Sequence, residues 1–150
     1  MQNDLMSDQR ELGQRLQDLG FAVGLAKSGR LLRIDNREAT QAASDQMIQA
    51  IVACAGLKEL YLRNLDDAGR WAADFVKLQK LQVLDLEGGQ LSDDALQLFS
   101  DENVLPKLQV LNVRQTQVTS DCVARLRKVM IGTRIIHGDY ITWEVIFRVS

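Results

Sequence analysis

Apolar residues recur along this chain in one short phrase. Leu81-Gln82-Val83-Leu84-Asp85-Leu86 and Leu108-Gln109-Val110-Leu111-Asn112-Val113 are near copies set 27 positions apart, and Leu57-Lys58-Glu59-Leu60-Tyr61-Leu62 lies 24 positions before the first of them. Alternate side chains of a strand share a face, so the last two apolar positions of each phrase point the same way and the residues between them point the other way. Near-identity at a period of one small structural unit predicts a solenoid of stacked units.

The stretches between the phrases carry turn and helix signals. Ahead of the repeats, Leu12, Leu16 and Leu19 recur at helical spacing, Asp8 and Glu11 form a capping box, and Gly20 supplies a stop, which predicts a helix over 8–19. Residues 21–26 and 31–35 flank Lys27-Ser28-Gly29-Arg30 and read as a β-hairpin. Its second arm contains Leu32-Arg33-Ile34, whose spacing makes it a degenerate first repeat, 28 positions before Leu60. Ser44-Asp45, Asp66-Asp67, Ser92-Asp93-Asp94 and Thr119-Ser120-Asp121 each precede an apolar run, and such residues satisfy the free N–H groups of a helix start. In the second repeat, Trp71 and Phe75 fall on one helix face. Gly56, Lys80 and Pro106-Lys107 come just before the leading leucines, and residues 100–103 form an inserted surface loop. A further strand is expected over 133–137, 25 positions after Leu108, and a terminal strand over 140–149.

The run from Leu81 to Leu96, an LxxLxL strand followed by a helix opening with Ser-Asp, resembles the leucine-rich repeat in its strand–helix subtype. The likeness covers roughly residues 30–137, about four repeats, and is similar to short bacterial proteins of this kind. The usual Asn or Cys ladder beyond the LxL departs from the pattern, with Asn64, Gly89 and Thr116 in the corresponding stretches. The resemblance implies an α/β fold with a parallel sheet on the concave face and helices on the convex face. It divides the single domain 1–150 into a helix and hairpin cap (1–30), repeats (31–137) and a C-terminal cap strand (138–150). It also implies binding of a protein partner through the concave face.

Strand alternation places Arg33, Asp35, Glu59, Tyr61, Arg63, Val83, Asp85, Glu87, Val110, Asn112 and Arg114 on that outward face. One reading is a solvated face with cross-strand ion pairs. The sharper one is a binding surface centred on Tyr61, Asp85 and Asn112, with Arg33, Glu59, Arg63, Glu87 and Arg114 around them, since aromatic and Arg residues are common anchors. The protein then reads as a non-enzymatic interaction module. The alternative is an architectural subunit that docks into a larger complex through its N-terminal helix or C-terminal strand. A monomer is the preferred state, and pairing through an uncapped edge strand is the other possibility.

Composition narrows the chemistry. With 46% hydrophobic and 25% charged residues in 150, the chain reads as one globular domain. A net charge of -2 and no basic run argue against a nucleic-acid partner. No apolar stretch approaches a membrane span, and the N-terminus lacks a signal sequence, so a cytoplasmic location is expected. Cys54 and Cys122 read as buried thiols rather than a disulfide pair. His137 is the single histidine and reads as structural; Asp66-Asp67 and Asp93-Asp94 read as helix-start charges; Gly88-Gly89 reads as a turn. Trp71 and Trp143 read as core or cap residues. No catalytic residue, metal or cofactor is expected.

Overall fold

The computed structural model describes residues 2–101 and 103–138, so the expected strand over 140–149, Trp143 and the capping role of 138–150 lie outside the described residues. A helix α1 (Gln2–Asp18) leads into a hairpin of β1 (Ala22–Leu25) and β2 (Leu31–Asp35). Strands and helices then alternate: α2 (Asp45–Ile51), β3 (Glu59–Tyr61), α3 (Ala72–Phe75), β4 (Val83–Asp85), α4 (Asp93–Leu96), β5 (Val110–Asn112), α5 (Ser120–Val129) and β6 (Arg134–Ile136). Short 3-10 turns precede α3 and follow α4. Among the described residues the strands form one sheet in sequence order β1 to β6, antiparallel at the hairpin and parallel thereafter. The protein is thus an α/β protein with a mostly parallel sheet.

The N-terminal helix begins earlier than its expected start. Asp8 and Glu11 lie inside α1, so they do not cap it. Leu5 stands seven positions before Leu12 and continues the helical spacing, one step that the expected start at Asp8 left out. The helix end does follow the glycine. Gly20 has a φ of 90°, the Phe21 N–H donates to Leu16 O at 3.0 Å and the Gly20 N–H to Gln17 O at 2.9 Å, which satisfies two carbonyls of the last turn. Leu12 and Leu16 are buried in the chain's own core.

The first repeat is two positions out of the register expected for it. Ile34, rather than Leu32, pairs with Leu60, and Asp35 pairs with Tyr61. A slip of two residues leaves every side chain on its original face, so alternation cannot detect it. An irregularity in the hairpin accompanies the shift: Gly24 faces Arg33 but Leu25 faces Leu31, and Leu31 is fully buried while Leu32 is only partly so. At the other end Leu111 pairs with Ile135, one position short of the expected 25-residue step, which turns Ile135 into the core.

The strands meet on a common set of buried side chains. Ile34, Leu60, Leu84, Leu111 and Ile135 stand opposite one another in register, and Leu62, Leu86 and Val113 are buried beyond them. Ile48, Ile51, Trp71, Phe75, Leu96, Phe99, Val123 and Leu126 from the connecting segments join the same cluster. Burying each such side chain contributes about 1.5–3 kcal/mol as an upper figure. Among the described residues the helices therefore cover one side of the sheet and leave the opposite face uncovered.

Two helix starts have the expected caps and two do not. Ser44 Oγ accepts from the Met47 N–H, and Thr119 Oγ from the Cys122 N–H, both at 3.2 Å. Ser92 makes no side-chain capping bond, and Asp67 sits in the left-handed region at φ 57° without one. Asp93 instead reaches into the next unit, where its carboxylate accepts from the Thr119 N–H at 2.8 Å and hydroxyl at 2.7 Å. Those bonds hold the Asp93 carboxyl below its ordinary value. Among the described residues no helix is long and apolar enough to cross a membrane.

Candidate functional site

The open face is built from two rows of facing residues. Arg33, Glu59, Val83, Val110 and Arg134 form one row; Asp35, Tyr61, Asp85, Asn112 and Ile136 form the next. Neighbours along a row are about 4.8 Å apart, close enough for side chains to bond across strands. Arg37, Arg63, Glu87 and Arg114 follow two positions beyond the second row, at the ends of their strands.

The second row has a repeated local job. Asp35 Oδ1 accepts the N–H of Arg37 at 2.9 Å, Asp85 Oδ1 that of Glu87 at 3.0 Å, and Asn112 Oδ1 that of Arg114 at 3.1 Å. Each is an Asx turn that satisfies the backbone where the strand ends. Their side chains lie low in the face and all three residues are buried. Tyr61 occupies the same position in β3 and has no short acceptor to offer. There the Arg63 N–H donates to Asn36 Oδ1 at 2.8 Å, and Asn36 Nδ2 donates to Arg63 O at 3.0 Å. A residue of the preceding unit closes that strand, and Tyr61 is free of the duty that Asp35, Asp85 and Asn112 perform.

Guanidinium groups lie over this floor. Arg63 donates through Nε and Nη2 to Asp85 Oδ2 at 3.1 and 2.9 Å, and its Nη1 is 3.3 Å from Glu87 Oε2. Asn112 Nδ2 also donates to Asp85 Oδ2 at 3.2 Å and to Glu87 Oε1 at 3.3 Å, and Arg114 Nη1 is 3.6 Å from that Glu87 oxygen. At the hairpin end Arg37 forks onto Asp35, with Nη2 donating at 2.8 Å, and Arg33 Nη2 donates to the same Asp35 Oδ2 at 2.8 Å. Burial pushes the Asp35 carboxyl up, but the bonds from Arg37 and the charges of Arg37 and Arg33 outweigh it and hold the group below its ordinary value. Arg37 and Arg33 also lie over the Tyr61 ring, 4.1 and 5.3 Å from its centre. The Tyr61 hydroxyl donates to Glu59 Oε1 at 3.1 Å, and burial together with the Glu59 carboxylate raises its pKa.

Arg37 and Asn36 escaped the sequence reading. Arg37 continues the alternation of Arg33 and Asp35 and could have been found by extending the strand by one more step. Asn36 has no such signal, since its partner is 27 residues away. The other chemistry-bearing residues lie elsewhere. His137 donates from Nε2 to the Val118 carbonyl at 2.8 Å. Cys54 and Cys122 are free and buried; burial pushes the Cys54 thiol up to about 11 and also raises Cys122, with the nearby Asp93 charge adding to it. Trp71 is a core residue with Arg70 stacked on it at 4.7 Å.

Among the described residues several open clefts border the sheet, one of about 550 Å³ along β6 beside Arg134 and Ile136. Another of about 460 Å³ lies beside Ala22, Asp35, Arg37 and Glu38, continuous with the Tyr61 end of the face. A third of about 580 Å³, lined by Val104, Pro106, Met130, Ile131 and neighbouring backbone, opens at the turns before β5 and β6 and contains no residue of the two rows. No protein-family model matches the chain, and no curated protein matches it.

Proposed function

We infer that the chain is a short leucine-rich-repeat solenoid of the strand–helix type, acting as a non-enzymatic module that binds a protein partner through the concave, helix-free face. The stacked core rows and the strand-to-helix phrase repeated at 24 to 27 residues support the fold part of this reading. One observation carries the functional part. Tyr61 stands where β2, β4 and β5 use Asp or Asn to close the strand, and Asn36 performs that closure from outside. An aromatic side chain held half-exposed between Arg33 and Arg37, without a structural task of its own in the turn, is the kind of group that anchors interfaces. Val83 and Val110, also half-exposed, extend the surface with apolar area.

The carboxylates of the face are engaged with Arg33, Arg37, Arg63 and Arg114, which suits recognition more than bond-breaking chemistry. The buried thiols are held in their protonated, unreactive form at neutral pH. Exchange of Tyr61→Ala together with Val110→Gln alters the face without touching the core ladder. Partner recovery by this variant in affinity purification from source cells, compared with the parent protein, tests the reading. A folded variant that recovers the same proteins in the same amounts contradicts it.

A further inference from the structure

Alternation along the strands describes the open face as mixed charge, but the charges are sorted by depth. The side chains of Asp85, Asp35 and Glu87 are 5%, 9% and 19% exposed, whereas those of Arg114, Arg63, Arg33 and Arg37 are 22%, 32%, 35% and 39% exposed. Asp35 and Asp85 bond to the strand ends, Glu87 meets Asn112, Arg63 and Arg114, and these acids lie in the floor; the longer arginines lay their stems over them. Glu59, at 38%, is the exposed acid of this set, and it is turned toward the Tyr61 hydroxyl and Arg33. Arg134 extends the first row on β6, is exposed, and makes no ion pair among the described residues. The row therefore runs from Arg33 through Glu59 and two valines to Arg134.

We propose that this face takes an acidic protein segment, one in which Asp or Glu residues flank an apolar side chain. The proposal rests on the reading of the open face as the binding surface. Val83 and Val110 receive the apolar group; Arg134, next to Val110, receives a carboxylate at one end, and Arg33, one strand beyond Glu59, with Arg63 at the end of β3, receives one at the other. A guanidinium has five N–H donors, so one that already holds a floor carboxylate through two or three of them can still meet a second acceptor from above. The floor acids work against a dense polyphosphate, because they lie directly beneath every arginine but Arg134, and the chain as a whole carries a net charge of -2. An isolated acidic segment with an apolar centre matches the spacing of charge and valine better than a continuous line of phosphates.

The test is selection from a random peptide library displayed on phage, panned against the full chain, the Arg33→Gln/Arg134→Gln variant and the Tyr61→Ala variant. A single-stranded oligothymidylate is measured in parallel. Among the described residues Arg134 has no bonded side-chain partner, and Asp35 keeps Arg37, so the double variant is expected to fold. The proposal expects net-negative peptides with acids on both sides of an apolar residue. Their capture falls about tenfold in the arginine variant and by a similar factor between about 50 and 500 mM salt. Neutral or basic peptides whose capture is lost in Tyr61→Ala overturn the acidic partner while leaving the face as a binding surface. Peptides indifferent to both variants, or no selectable peptide at all, count against the face itself and the proposal with it. Tighter, arginine-dependent capture of the oligothymidylate overturns the proposal in favour of a nucleic acid.

Discussion

Asn36 closes a strand that is not its own: its amide accepts the Arg63 N–H at 2.8 Å and donates to the Arg63 carbonyl at 3.0 Å, two bonds across adjacent units. Because this closure comes from outside, β3 has no need of an Asx residue at its end, and Tyr61 can stand there. Asn36→Ala is expected to destabilise the protein by about 1–2 kcal/mol, since it removes both bonds to part-buried backbone. In a Tyr61→Asn background an Asx turn can form within β3 itself, as at Asn112. The added cost of Asn36→Ala should then fall to about half or less. Urea midpoints for the four proteins of this cycle measure the coupling, and strict additivity would refute the shared role.

Arg63 covers Asp85 from above and is the main cation bonded to it. Removing it leaves a buried carboxylate with only Asn112 and backbone donors. Arg63→Ala should cost about 1–3 kcal/mol. Arg63→Lys should recover only part of that loss, because a single ammonium does not reproduce the fork. Both values are read from urea unfolding.

Asp35 ties stability to pH. Its folded pKa is depressed, so its contribution is complete above the unfolded value, near 3.8, and disappears as pH falls through the lower folded value. Asp35→Asn should therefore be less stable than the parent at neutral pH, with the gap closing progressively below about pH 4. Thermal or urea midpoints of the two proteins from neutral to acid pH follow this directly. A gap that stays constant would mean that the carboxylate charge plays no part.

The two thiols should be silent in the folded protein. Burial pushes Cys54 up to about 11 and raises Cys122, so neither is thiolate at neutral pH and neither has ready access to a reagent. A disulfide-exchange dye should titrate both in denaturant and react far more slowly than a free cysteine without it. Rapid native labelling of either one would show that its surroundings open.

The parts of this architecture that were legible from the chain are those carried by local periodicity. The leucine phrases located β3, β4 and β5, the Ser-Gly tip located the hairpin, and the ladder through Leu60, Leu84 and Leu111 follows from alternation alone. Register in the first repeat was not legible, because a shift of two residues preserves the face of every side chain. The start of α1 was missed because Asp8 and Glu11 resemble a capping box although Leu5 continues the helical spacing ahead of them, and the Asp67 cap failed because that residue adopts a left-handed backbone. For the candidate site, alternation identifies the face of Asp35, Asp85 and Asn112 but not their depth, which is set by Asx turns at the strand ends and by arginines from neighbouring strands. The Asn36 bridge joins residues 27 positions apart and leaves no local trace.

The central claim is that the open face, with Tyr61 and the valines at its middle, is where a protein partner sits. Photo-cross-linking tests it most directly, with a benzophenone side chain placed in turn at Val110 on the open face and at Ala73, which is exposed on the helical side. Irradiation in source-cell extract should give a discrete protein adduct from position 110 and none from position 73. Adducts from position 73 alone, with position 110 silent in a folded protein, would contradict the account.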